Sequence, residues 1–230
     1  MGWYARIYGT AGPGIPENEK KPSGLPLFFR TLGREWRSLI KLNGIFLLHC
    51  LPVITIPAAV CAMQHLTLRM IQDKPLLLWT DYRIAFRSLF KRASLLGWPY
   101  LTLAAACAVC LFVYWQFALQ YTPFLVLYAV CAVFALLLGL AGTYFFSLTA
   151  RTDAPASLVF KNSLLMGLAY FPHSLPVFLA NAALFFLCAA FWLLAWPVIF
   201  CFLFSLQSLI CAFAAWPDML RQQRLCSQGH

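Results

Sequence analysis

Ala93–Ala150 reads ASLLGWPYLTLAAACAVCLFVYWQFALQYTPFLVLYAVCAVFALLLGLAGTYFFSLTA, 58 residues without one Asp, Glu, Lys or Arg. One bilayer-spanning helix needs ~20 apolar residues. The run therefore reads as two spans, turning where Gln120–Pro123 interrupts the apolar pattern. Two more charge-free runs flank it, Leu42–Leu68 with 27 residues and Asn162–Pro217 with 56. The longer of these reads as a second pair of spans, turning near Trp196-Pro197.

Composition agrees. Hydrophobic residues make up 62% of the 230, charged residues 10%, and mean hydropathy is +0.76. A water-soluble domain carries ~25% charged residues. The sequence therefore predicts an all-α, polytopic transmembrane helical bundle. A flexible arm over residues 1–26 precedes a membrane domain over 27–220, and a tail over 221–230 follows. Nothing in the first 26 residues reads as a signal peptide, since Gly, Pro, Asn, Glu and Lys stand where an apolar core belongs.

The net charge of +10 raises the question of nucleic acid. The basic residues sit beside apolar spans, where topology and anionic lipid headgroups place them. No nucleic-acid partner is expected; the expected partner is the lipid bilayer. Of nine cysteines, only Cys226 lies outside the apolar runs. Cys107 and Cys110 spell Cys-x-x-Cys inside an apolar helix, where a thiolate or metal lacks polar support, so they read as packing residues.

Leu42–Leu68 is ambiguous. It is interrupted at Leu51-Pro52 and Ile56-Pro57, and proline removes a helical hydrogen bond. The run is one kinked span or a Pro-broken hairpin. Charge separates the two. Arg69–Arg92, Arg151–Lys161 and the tail hold six, two and two basic residues on one side of the membrane. The positive-inside bias makes that side cytoplasmic. The remaining seven precede Leu42, and a hairpin brings all 17 to the same side. The expected count is about six membrane helices, with limbs over 30–51 and 56–74 and both termini cytoplasmic.

Residues 73–92 form the main cytoplasmic loop. Trp79, Tyr82, Phe86, Leu89 and Phe90 recur at helical spacing against Asp81, Arg83, Arg87, Lys91 and Arg92. This reads as a short amphipathic helix, lying on the inner leaflet or against a partner. Trp79, Asp81, Tyr82, Phe86, Arg87, Phe90, Lys91 and Arg92 are the candidate docking residues.

The order of motifs resembles the YesL-like membrane proteins, domain of unknown function 624. The residues that carry the resemblance are Pro13-Gly14-Ile15-Pro16, Phe28-Phe29, Ile40-Lys41-Leu42-Asn43, Leu51-Pro52-Val53-Ile54-Thr55-Ile56 and the Trp79–Arg92 segment. The chain departs from that pattern at Pro57 and Ala59, where Gly and a Thr are usual. The resemblance implies a six-helix bacterial inner-membrane protein beside carbohydrate ABC importers. Permease subunits of such an importer are the implied partner.

Candidate chemistry is sparse. Asn43, His49, Pro52, Thr55, Pro57, Gln64 and His65 make the first hairpin the most polar membrane segment. Ionisable residues at membrane depth are functional suspects, and helix ends at a broken hairpin offer free backbone groups. A neutral His satisfied by a hydrogen bond is the ordinary reading of His49 and His65. Cys61 and His65 have a metal-ligand spacing, with no third ligand in view. The Phe171–Pro176 segment, Phe-Pro-His-Ser-Leu-Pro, reads as a second break, where a helix over 154–170 turns into the next span. None of the seven acids lies inside a charge-free run, so no buried carboxylate pair can exchange protons. No enzyme, no cofactor and no metal site is expected. The leading expectation is an accessory subunit of a sugar uptake system. Its rival is a small transporter or channel with a polar path through the first hairpin.

Overall fold

A computed structural model describes residues 25–118, 121–190 and 202–228. Seven α-helices occupy the described residues: α1 (Leu25–Cys50), α2 (Ile56–Ile71), α3 (Leu78–Ala118), α4 (Pro123–Arg151), α5 (Ala156–Ala169), α6 (Phe171–Ala190) and α7 (Phe204–Gln228). They contain no strand, so the all-α expectation holds. Met1–Arg34 and Glu35–His230 are separate compact units. In the first, the rings of Phe28 and Phe29 meet edge to face at 5.6 Å. The bundle described below belongs to the second.

The break at Pro52 falls where the sequence places it. α1 stops at Cys50, a 3-10 turn covers Val53–Thr55, and α2 starts with Pro57 in its first turn. Proline suits that position because its missing N–H has no helical acceptor there. The Thr55 hydroxyl donates to the carbonyls of His49 and Pro52, tying the end of α1 to the turn. α2 ends in a Schellman arrangement. Asp73 takes a φ of 56°, and the N–H groups of Asp73 and Lys74 reach back to the carbonyls of Met70 and Arg69.

α2 is the central helix, packed against α3, α4 and α7. In the apolar 18-residue stretch that marks each span, 67% of the residues are buried for α2, against 11% for α3 and 17% for α4. Small residues make this possible: Ala58, Ala59, Cys61 and Ala62 are fully buried, and small side chains let backbones approach where lipid supplies no hydrophobic drive. A Cβ on Gly97 of α3 would collide with the Pro57 ring. The Tyr82 hydroxyl donates to the Ala59 carbonyl at 3.2 Å. Further along, Tyr100 stacks on Phe145 with centroids 4.6 Å apart and donates to the Leu138 carbonyl at 2.8 Å, joining α3 to α4.

One expectation is corrected. Residues 78–92 are not a separate helix in a loop. They are the first turns of α3, whose 41 residues run on to Ala118 with Pro99 inside; at 1.5 Å per residue that is ~60 Å, far beyond one bilayer crossing. Nothing between Arg92 and Gly97 stops a helix, so the amphipathic and apolar segments fuse. The connection is reduced to Gln72–Leu77. The expected count of about six membrane helices takes in residues 191–201, which lie outside the described residues. Among the described residues three helices are long and apolar enough to cross a membrane, or four if α5 and α6 form one broken span. α1 carries Arg30, Arg34, Glu35, Arg37 and Lys41, too many charges for such a span. The apolar part of α7, Phe204–Pro217, is shorter, and the expected turn at Trp196-Pro197 lies outside the described residues.

The second break is as expected: α5 and α6 meet at 99° beside Tyr170. Pro172 opens α6, and the Ser174 hydroxyl donates back to the Gly167 carbonyl at 2.7 Å, holding the corner.

Candidate functional site

α2 distributes the hairpin residues over different faces. His49, at the end of α1, hydrogen-bonds the Ile45 carbonyl through Nδ1 at 2.8 Å. Its ring packs on Tyr82 and Phe86 at 5.0 and 4.9 Å, with Trp79 at 6.2 Å. His49 therefore joins the aromatic face of α3 and not the other hairpin polar groups. His65 points elsewhere, into a small cavity of about 170 Å³ with Arg69, Asp81 and Ser88. Arg69 and Asp81 form an ion pair at 3.4 Å there, and Asp81 also accepts the Leu77 N–H at 3.0 Å. The ion pair and that bond tie the end of α2 to the start of α3 at the short connection.

Gln64 is the hairpin residue at the centre of a polar seam. Its Oε1 accepts the Ser147 hydroxyl of α4 at 3.2 Å. One turn on, the Thr67 hydroxyl pairs with Ser208 of α7 at 3.0 Å. Asn43, fully buried, accepts the backbone N–H of Ser205 at 3.1 Å. Sequence reasoning found Asn43 and Gln64 but not Ser147 and Ser205. Single serines in apolar helices carry no spacing signal, and only tertiary placement gives them partners.

Beside the seam lies a cavity of about 480 Å³ between α2, α4, α6 and α7, with Gln64, Asn181 and Gln207 on its wall. Cys211 lines it too and takes a hydrogen bond from Asn181 at 3.4 Å. Among the described residues no group of three His, Cys, Asp or Glu is arranged to hold a metal.

The candidate docking residues divide. Tyr82 is fully buried. Phe86 and Phe90 are half-buried, their rings tilted against each other with centroids 5.6 Å apart. Arg92 turns inward to Asp153 at 2.9 Å and to the Ala154 carbonyl at 2.7 Å. Trp79, Arg87 and Lys91 are exposed, and Arg83 and Ile84 share their face. Thus one side of the helix anchors it and the other presents three cations among apolar side chains.

Residues 39–112 match the family described as Protein of unknown function, DUF624. The match covers the Pro-broken segment, α2 and most of α3, so every hairpin and docking candidate lies inside it, and the resemblance read from the sequence holds there. No curated protein and no solved structure matches the chain.

Proposed function

We propose that this protein is a non-enzymatic accessory subunit of the bacterial inner membrane that docks on the permease of an ABC-type carbohydrate importer. The observation that carries the docking half is the exposed face of α3, with Arg83, Arg87 and Lys91 set among Trp79 and Ile84. The opposite side of the same turns is clamped by Tyr82, Phe86 and Arg92. A rigidly held helix with an exposed cationic and apolar face suits recognition of an acidic, partly apolar partner surface. The sugar importer comes from the resemblance alone. In this reading the basic end of α3 and both termini are cytoplasmic, following the positive-inside bias.

Affinity purification from native membranes in mild detergent, with mass spectrometry of the retained proteins, tests it. Stoichiometric sugar-permease subunits support the reading, and a lone protein after cross-linking overturns it. A second reading is favoured by the cavity beside Gln64: a small transporter that moves solute itself. Solute uptake by the purified protein alone in liposomes would support that reading.

A further inference from the structure

The cavity between α2, α4, α6 and α7 lies outside the docking face. At about 480 Å³ it falls within the ~300–1,000 Å³ of small-molecule sites. None of the described residues lining it carries a charge. Phe46, Phe146, Phe178 and Phe204 supply aromatic wall. The polar groups are few: Gln64, Thr143, Asn181, Gln207 and Ser208. Several are already engaged, Gln64 with Ser147, Ser208 with Thr67, and the Asn181 amide N–H with the Val177 carbonyl at 2.9 Å. Among the described residues Asn181 Oδ1 is buried and has no hydrogen-bond partner. An acceptor left in that state costs ~1–3 kcal/mol, which a ligand with a donor group recovers once the Asn181 amide, on the cavity wall, turns toward it.

These features select the ligand. A charged molecule would enter without a counter-ion, at a desolvation cost nothing here repays. A sugar carries more hydroxyls than the remaining polar groups can meet. An apolar body with one donor fits both wall and orphan acceptor. The helices around the cavity include two membrane-length spans, α2 and α4, so such a molecule can arrive from the bilayer. We infer that this cavity binds a neutral amphiphile, its chain against the phenylalanines and its hydroxyl donating to Asn181 Oδ1. This site is independent of the docking face and of the importer.

The test uses the full chain in phosphatidylcholine nanodiscs with a monoacylglycerol bearing a diazirine in its chain. Photolabelled peptides are mapped by mass spectrometry, with unlabelled monoolein, oleate or maltose as competitor. The expected result is labelling on the cavity walls of α2, α4 and α7, competed by monoolein and not by oleate or maltose. Val60→Trp fills the cavity and should abolish wall labelling while sparing the outward positions Val126 and Phe134. Asn181→Leu should weaken monoolein competition roughly fivefold, the factor carried by one neutral hydrogen bond of ~1 kcal/mol. Labelling confined to the outward faces, wall labelling that monoolein does not compete, or equal competition by oleate overturns the inference. Should Val60→Trp fail to fold, the competition series on the unaltered protein decides alone.

Discussion

Asn43 accepts the backbone N–H of Ser205 at 3.1 Å across 162 residues of sequence, both groups buried. Ser205 follows the π-helical residues Phe202 and Leu203, where the regular α-helical hydrogen-bond pattern is interrupted. Asn43 thus caps this N–H from another helix. It is the contact that joins α1 to the far end of the chain, supported by Phe46 and Phe204 with rings 5.2 Å apart.

Removing that cap should be costly. Asn43→Leu leaves the Ser205 N–H buried and unpaired, a loss of ~1–3 kcal/mol. Ser205→Ala keeps the backbone donor and removes only a hydroxyl that bonds the Phe202 carbonyl. Thermal unfolding in detergent, followed by tryptophan fluorescence, should show Asn43→Leu well below Ser205→Ala. Equal midpoints would mean the cap contributes nothing.

Glycines 44 and 97 should respond with opposite signs. A Cβ on Gly97 meets the Pro57 ring, whereas one on Gly44 meets nothing within 4 Å. Gly97→Ala forces α2 and α3 apart, an overpacking cost of ~1–3 kcal/mol. Gly44→Ala stiffens an open helix position and should stabilise by up to ~1 kcal/mol. The same unfolding assay reads both, and a Gly97→Ala protein as stable as its parent would show that the contact yields easily.

The charge-free runs of the sequence predicted most of the helices because a bilayer imposes length and apolarity on each span, and both are visible without tertiary context. The two proline breaks were legible for the same local reason. The fusion of residues 78–92 with the following span was not, since amphipathic and apolar helices share one backbone geometry and no Gly or Pro separates them before Gly97. In the candidate site, Asn43 and Gln64 stood out as polar residues in apolar helices. Their partners Ser147 and Ser205 did not, because serine is common in membrane helices whether or not it pairs. His49 and His65 looked equivalent by composition, but helical phase sends one to the α3 aromatics and the other to Arg69 and Asp81.

Arg92 makes two contacts of unequal weight. Asp153 is fully solvent-exposed, so its ion pair is screened. The Ala154 carbonyl is part-buried and receives the second guanidinium N–H at 2.7 Å. Asp153→Asn should therefore leave the unfolding midpoint nearly unchanged, while Arg92→Ala lowers it and Arg92→Lys recovers only part, because an ammonium cannot span both acceptors. If Asp153→Asn and Arg92→Ala lower it equally, the ion pair and not the carbonyl holds the α4–α5 connection.

Docking and anchoring can be separated on α3 itself. Arg83, Arg87 and Lys91 are exposed, so reversing their charge as Arg83→Glu, Arg87→Glu and Lys91→Glu should leave stability within ~0.5 kcal/mol per site. The same change should abolish capture of permease subunits in the affinity experiment, because electrostatic complementarity governs encounter and rejects wrong partners. Tyr82→Phe has the reverse profile. It deletes the bond to the Ala59 carbonyl, lowers stability by ~1 kcal/mol, and leaves the exposed face intact, so capture should persist below the unfolding midpoint. Raising ionic strength should weaken capture by the unaltered protein, since exposed charges more than ~10 Å apart are screened at 0.1 M salt. Capture that survives charge reversal and high salt alike would move the contact away from this face, to the apolar flanks of α3 and α4, and would remove the observation on which the accessory role rests.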